Sequence, residues 1–300
     1  MTGKGAKERL DELTSSAYQR FADYPAPDVL SACVPHCLSS EAAAQLCQMT
    51  VADIPASLLS RYNFAALDDM PMPIEEMKHF LPRYLDLLVS SDDFPDLGIE
   101  TALRGVGLAE WPTDDHKFLQ EWAVTFAVVE FGLYDDDYYP EYQVGCDEVL
   151  IMLSNGGFDL SEIFTIWAED PSLGGLLAYL SLAEDCEFSQ RQLHDAFNTD
   201  AANDAVFSWI CDPATVTHFR DSAWRWAMDH ENPALDMDYS SRGYCIGTLG
   251  TDATTYRELC TVRQRIEDLW AVLVDGWCSG SEPGSDYAQL LERLHHGRAE

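Results

Sequence analysis

Residues 73–88 read PIEEMKHFLPRYLDLL and predict one helix that begins at Pro73 and ends at Leu88. Proline suits a first helical turn because it lacks the amide hydrogen that this turn leaves unbonded. The two acids that follow lie at the positive end of the helix dipole, which stabilises them there. Pro82 lies inside the segment and predicts a kink, because it removes a donor and its ring clashes with the preceding turn.

Similar signals extend the helical pattern in both directions. Apolar residues at helical spacing predict a helix from Lys7, and Ser39 is typical of a residue that caps the next one. Pro55 suits the first turn of a third helix. Thr113 and Asp159 (or Ser161) provide side-chain oxygens that can cap two later helices. The predicted helices cover residues 7–24, 39–47, 55–67, 73–88, 96–105, 113–132, 140–153, 160–169, 173–186, 189–209, 213–230, 254–278 and 285–296.

The predicted fold class is all-α, as a compact or solenoid-like stack of about a dozen helices. The sequence has no internal repeat, which leaves an irregular bundle and a solenoid-like stack equally open. Residues 244–249 fit either a short strand or a loop. No long linker interrupts the chain, so we expect a single helical domain over residues 1–300. The alternative is an N-terminal subdomain over residues 1–91 followed by an acidic part over residues 92–300.

Charge is distributed unevenly along the chain. The net charge is -34 at pH 7, and residues 92–238 hold 31 acids against five basic residues. Charges of one sign repel each other and lower the stability of a compact chain, but they attract a partner of the opposite sign. We therefore expect this protein to bind a basic partner. Halophilic adaptation is the alternative: four lysines and an excess of Asp over Glu fit it, whereas eight tryptophans and nine cysteines fit it less well.

Composition also bears on location. Hydrophobic residues make up 47% of the chain, which is enough for a sizeable core. No apolar run approaches the roughly 20 residues of a membrane-spanning helix. Residues 1–9 are polar and lack an apolar signal-peptide stretch, so we expect a cytoplasmic location. The nine cysteines have no regular spacing and predict reduced thiols, several of them buried, rather than a disulfide framework.

The segment Tyr134–Tyr142, YDDDYYPEY, combines four tyrosines with four acids. Acids speed the encounter with a basic partner, and tyrosine is enriched at the residues that dominate binding energy. A second acidic segment covers residues 229–239. The residues predicted to bind a partner are Asp135, Asp136, Asp137, Tyr138, Tyr139, Glu141, Tyr142, Asp236, Asp238 and Tyr239. Solvated loops without a binding role are the alternative, and a calcium loop is disfavoured because the spacing and glycine of an EF-hand are absent.

Cys33, His36 and Cys37 form the most metal-like cluster of the chain. A zinc site needs about four ligands, usually in two spaced pairs, and a second pair is missing here. We therefore expect no metal and no cofactor, with zinc as the less favoured alternative, and we interpret these cysteines as buried thiols. The sequence lacks the G-x-S-x-G, Walker A, G-x-G-x-x-G and H-E-x-x-H motifs, so we do not expect an enzyme.

Residues 33–88 resemble an uncharacterised bacterial family. The resemblance rests on the Cys33–Cys37 turn, on LLSRYNFAA at residues 58–66, and on HFLPRYL at residues 79–85 with its leucine-rich continuation. Residues 67–70, LDDM, depart from the family, which often has a Trp-Gly turn there. The family resembles immunity proteins of polymorphic, contact-dependent toxins. The resemblance implies a structural motif in which Pro82 kinks its helix and Arg83 satisfies the carbonyl groups that the kink frees.

The resulting hypothesis is an immunity protein that binds a cognate basic toxin domain, either a nuclease or an ADP-ribosyltransferase, and blocks its active site. An acidic surface would occupy a cleft made for nucleic acid or dinucleotide, and tyrosines would anchor it there. Two alternatives stay open: an acidic nucleic-acid mimic that blocks a DNA-binding protein, and a helical enzyme with an unrecognised site. We expect no binding to nucleic acid or membrane.

Overall fold

The computed structural model describes residues 3–34, 36–66, 72–90, 99–100, 103, 106–134, 145–184, 197 and 199–210, and isolated residues between 212 and 222. These residues are 74% helical and contain no strand, which confirms the all-α fold class. The α-helices are α1 Gly3–Arg20, α2 Ser40–Gln48, α3 Ala56–Ala66, α4 Ile74–Ser90, α5 Thr113–Glu130, α6 Cys146–Asn155, α7 Ser161–Glu169, α8 Leu173–Glu184 and α9 Asp200–Ile210. Short 3-10 helices lie at Val51–Asp53 and Leu108–Glu110.

The observed helix starts follow the predicted capping chemistry. The side chain of Ser39 accepts a hydrogen bond from the backbone amide of Ala42 at 3.2 Å, which satisfies one of the unbonded donors of the first turn of α2. The side chain of Asp159 accepts from the amide of Ser161 at 2.9 Å at the start of α7. None of the described helices combines the length and the apolarity that a membrane crossing requires.

Several predicted boundaries are wrong: the helix predicted over residues 7–24 ends at Arg20, and the one predicted from residue 140 begins at Cys146. Helix α1 begins at Gly3 instead of Lys7, since Ala6 is fully buried and extends the apolar side of the helix. Helix α9 begins at Asp200 instead of residue 189, because the hydroxyl of Thr199 accepts from the amide of Ala202 at 3.1 Å and caps the helix there. The predicted helices at 254–278 and 285–296, and the segment 244–249, lie outside the described residues.

Helix α4, predicted first from the sequence, is buried over ten of its 17 residues. It continues through Pro82, and it packs against α1 and against the 3-10 helix at Val51–Asp53. Two of its buried residues, Glu76 and Lys78, are charged. A buried charge destabilises the folded chain unless it is paired, so the partners of these two side chains determine how α4 sits among its neighbours.

Lys78 joins α4 to α5 and, through a shared carboxylate, to α1. Its side chain is only 3% exposed; the ammonium group donates to Asp115 Oδ2 at 2.7 Å, and Arg20 donates to Asp115 Oδ1 at 2.9 Å. The indole of Trp122 donates to the hydroxyl of Thr14 at 3.0 Å and makes a second polar link between α1 and α5. These bonds pair the buried ammonium group, which would be strongly destabilising without a partner, and they link the three helices at fixed positions.

Glu76 fixes the chain that precedes α2. Its carboxylate, 5% exposed, accepts from the backbone amide of Ser31 at 3.0 Å and from the hydroxyl of Tyr62 on α3. Burial raises the pKa of Tyr62 far above its ordinary value, and the charge of Glu76 raises it further. The Tyr62 hydroxyl therefore keeps its proton and remains a donor to the carboxylate.

The inference that Arg83 satisfies carbonyl groups freed by Pro82 is wrong. Arg83 Nε donates to the carbonyl oxygen of Ile54 at 2.7 Å, and its Nη1 donates to Asp86 Oδ2 at 2.5 Å. Ile54 ends the 3-10 helix, so its carbonyl has no helical partner and a neighbouring guanidinium meets that need. Arg83 thus joins α4 to the preceding element.

The described residues belong to two compact units. The first contains the residues up to Glu130 and Glu148–Ile163, and the second contains those of Phe131–Asp147 and those from Phe164 onward. The described core of the second unit is rich in aromatic rings. Trp209 stacks on Phe164 with ring centroids 4.8 Å apart. Tyr179 stacks on Phe219 with ring centroids 4.1 Å apart. A single domain, or a division at residue 91, stays a prediction.

Candidate partner-binding site

The ten residues predicted to bind a partner lie outside the described residues. They are Asp135, Asp136, Asp137, Tyr138, Tyr139, Glu141, Tyr142, Asp236, Asp238 and Tyr239. The structure does describe Tyr134, the first residue of the acidic tyrosine segment Tyr134–Tyr142. The candidate site therefore starts from the residues that hold Tyr134.

The chain turns sharply between the end of α5 and this segment. Gly132 and Tyr134 both have left-handed backbone conformations, with φ of 60° and 62°. Glycine adopts this conformation at little cost, whereas a tyrosine pays on the order of 1–3 kcal/mol because its Cβ crowds the backbone. Contacts from the surrounding structure must therefore hold Tyr134 in place.

Two buried oxygens bind the backbone amide of Tyr134. It donates to Asp170 Oδ1 at 3.2 Å and to Ser172 Oγ at 3.1 Å. Asp170 is fully buried and Ser172 is 4% exposed, so both oxygens act away from competing water. Hydrogen bonds to an ionised acceptor are about twice as strong as neutral ones. Asp170 and Ser172 thus fix the point from which the acidic tyrosine segment continues.

Residues 170–175, DPSLGG, explain how these oxygens come together. The hydroxyl of Ser172 donates to Asp170 Oδ2 at 2.5 Å, and the amide of Ser172 donates to Asp170 Oδ1 at 3.2 Å. Ser172 Oγ in turn accepts from the amide of Gly175 at 3.2 Å and caps α8. Asp-Pro-Ser ahead of an apolar helix is a turn-and-cap signal that sequence reasoning could have used. It does not indicate the contact with Tyr134, which lies 36 residues away.

Gly175 allows the carboxylate of Asp170 to lie close to the backbone of α8. A Cβ atom at this position would lie 2.2 Å from Asp170 Oδ2, closer than any side chain tolerates. The indole of Trp167 donates to the carbonyl oxygen of Gly175 at 2.8 Å. His218 Nε2 lies 2.8 Å from the carbonyl oxygen of Asp170, so the imidazole donates from this nitrogen. Asp170 is therefore held through its side chain and its backbone.

These side chains are arranged to hold a turn rather than to activate a nucleophile. The hydroxyl of Ser172 donates to a carboxylate, and His218, the histidine described nearby, contacts a backbone carbonyl instead. A serine nucleophile needs a base within hydrogen-bond reach of its hydroxyl. Asp170 and Ser172 position Tyr134. Burial raises the pKa of the Tyr134 phenol, and the charges of Asp170 and Glu169 raise it further.

The described residues of the second unit are strongly acidic. Its described residues include no lysine or arginine, and their seven acids are Asp147, Glu169, Asp170, Glu184, Asp200, Asp204 and Asp212. Glu169, Asp200, Asp204 and Asp212 are exposed. In the first unit, by contrast, Arg9 pairs with Glu121 at 2.6 Å. An excess of acids produces a field that extends into solvent and attracts cations or a basic surface.

Cys33, His36 and Cys37 lie on the surface. The interpretation of these cysteines as buried thiols is therefore wrong: Leu38, fully buried, takes the core position beside the start of α2. Throughout the part of the chain that the structure describes, no three His, Cys, Asp or Glu residues are grouped so that they could hold a metal ion.

Comparison with known proteins identifies no relative. No protein family, no curated protein and no solved structure matches this chain. The resemblance of residues 33–88 to immunity proteins thus stays a hypothesis that rests on the motif. The acidic charge of the described second unit and the contacts of Tyr134 support a functional conclusion independently of that motif.

Proposed function

We propose that this chain is an immunity protein that binds a basic toxin domain through the acidic tyrosine segment and occludes its active site. The observation that carries the proposal is the second unit, which has seven described acids, no described lysine or arginine, and the anchored Tyr134. The resemblance of residues 33–88 favours a toxin over other basic partners. A nuclease or an ADP-ribosyltransferase fits best, because both have a positively charged cleft.

Binding would proceed in two physical stages. The field of the acids first raises the rate of encounter, which electrostatic attraction can increase by one to three orders of magnitude at low salt. Tyrosines then fill pockets at the centre of the contact and slow dissociation. Anchoring of Tyr134 lowers the entropy lost on binding, since the start of the segment is already ordered.

Replacing Asp135, Asp136 and Asp137 together with asparagine should lower the association rate about tenfold at low salt and much less at high salt. Charges separated by more than about 10 Å are screened at 0.1 M salt, so the effect must fade as salt rises. Stopped-flow association with a candidate basic toxin domain measures it. Asparagine at Asp23, Asp28 and Asp53, three exposed acids of the first unit, is the control for net charge. Equal slowing by both triple variants would count against this segment.

Replacing Tyr138, Tyr139 or Tyr142 with alanine should mainly speed dissociation. A tyrosine that dominates the contact contributes about 2 kcal/mol, which corresponds to about 30-fold in the dissociation rate. Phenylalanine at the same position is the matched control, because it keeps the ring and removes only the hydroxyl. Co-expression with the toxin gives the cellular measurement. Full protection by a variant that combines the asparagine and alanine changes would exclude this segment and favour residues 229–239.

A further inference from the structure

Two exposed thiols lie one turn apart ahead of α2. The amides of Cys37 and Leu38 both donate to the carbonyl oxygen of Cys33 at 3.0 Å, which closes a turn from Cys33 to Leu38. The amide of Cys33 donates to the carbonyl oxygen of Ala65 at 3.0 Å, so one end of the turn is fixed to the end of α3. Leu38 is fully buried and fixes the other end. The backbone of the two exposed cysteines is thus held in a single turn on the surface.

The geometry of this turn suits a disulfide that forms and breaks readily. A hydrogen bond from residue i+4 to residue i places the two Cα atoms about 6 Å apart, inside the range of about 4.4–6.8 Å found in disulfides. The Cβ atoms in such a turn are about 5–6 Å apart, whereas a disulfide needs about 3.8 Å. The turn must tighten to close the bond. Exposed and strained disulfides are the easily reduced ones that serve regulation.

We propose that Cys33 and Cys37 form a reversible thiol–disulfide pair whose oxidant is a low-molecular-weight disulfide such as oxidised glutathione. One protein thiol loses a proton and attacks the glutathione disulfide, which forms a mixed disulfide and releases one glutathione thiolate. The second protein thiol loses its proton and attacks the mixed disulfide, which releases the second glutathione. The two cysteines are oxidised by two electrons, and one glutathione disulfide is reduced to two thiols.

Cys47 provides an internal comparison. It lies at the end of α2 and is partly buried. Burial raises the pKa of its thiol, and the charges of Glu76 and Asp28 raise it further. The thiolate is the reactive form, so Cys47 should exchange more slowly than an exposed cysteine. A general oxidation of the protein would modify Cys47 as well, whereas a specific pair leaves it reduced.

The test uses the full chain, reduced and then incubated with oxidised glutathione. N-ethylmaleimide stops the exchange, and a protease that cleaves after acidic residues separates Cys33 and Cys37 from Cys47 at Glu41. The peptide with both cysteines should be lighter by two hydrogens and carry no maleimide, while the Cys47 peptide carries one. Excess reduced glutathione should restore two maleimide-reactive thiols on the first peptide.

Two variants make the result decisive. Cys33→Ser should leave Cys37 with a single bound glutathione and no internal bond, whereas Cys47→Ser should leave the oxidation of the pair unchanged. Two glutathiones or two maleimides on the wild-type peptide would overturn the proposal. So would a bond from either cysteine to any other cysteine of the chain.

Discussion

Replacing Asp170 with alanine is expected to lower the free energy of unfolding of the second unit by about 3–5 kcal/mol. The buried carboxylate accepts from the amide of Tyr134 and from both the amide and the hydroxyl of Ser172. Each buried donor left without an acceptor costs about 1–3 kcal/mol. The left-handed conformation of Tyr134 would also lose part of its support, so the start of the acidic tyrosine segment should become less ordered.

Urea unfolding followed by tryptophan fluorescence measures the change, and hydrogen exchange of α8 and α9 places it in the second unit. Glu169→Ala is the matched control, because Glu169 is the adjacent acid, is exposed, and ends α7 where a negative charge is unfavourable. It should leave stability unchanged or raise it slightly. Asp170→Asn keeps one oxygen acceptor and should cost less than alanine. Equal effects of Asp170→Ala and Glu169→Ala would contradict the role assigned to Asp170.

Replacing Glu130 with glutamine is expected to stabilise the protein by about 3 kcal/mol at pH 8 and to have little effect at pH 4. Burial raises the pKa of Glu130 from 4.5 to about 7, and the charge of Lys7 opposes the shift. Between these two values the folded chain binds a proton that the unfolded chain has lost. The stability that this carboxyl group contributes is therefore complete below about pH 4.5, falls as pH rises toward 7, and does not change further above it.

The difference in unfolding free energy between wild type and Glu130→Gln, measured by urea denaturation from pH 4 to pH 8, isolates this group from the general repulsion of the acids. Glu148→Gln removes an exposed carboxylate of the same unit and controls for the loss of one negative charge. A constant difference across the whole pH range would show that Glu130 titrates alike in the folded and unfolded chains.

Local chemistry in the sequence was enough to predict the fold class and several helix starts. Ser39 accepts a hydrogen bond from an amide three residues away, and Pro73 precedes α4, so both signals act within a single turn. Short-range signals of this kind need no knowledge of the rest of the chain. The charge excess was equally readable, because it depends only on composition.

Burial and long-range partners could not be predicted in this way. Cys33 and Cys37 are typical core residues by type, yet Leu38 occupies the buried position beside them. Nothing around Arg83 indicates that its partner is the carbonyl of Ile54, 29 residues earlier. Which of several similar residues faces the core depends on how helices distant in sequence pack together.

In the acidic tyrosine segment, too, some features can be predicted from the sequence and others depend on the tertiary structure. Its tyrosines and acids, adjacent in the chain, predict a binding function from residue types alone. Its anchor depends on Asp170 and Ser172, which form a cap for α8 whether or not Tyr134 is near. Only tertiary packing brings Tyr134 to that cap, because a hydrogen bond between residues 36 apart closes a long loop, and signals within one turn of the chain cannot specify such a closure.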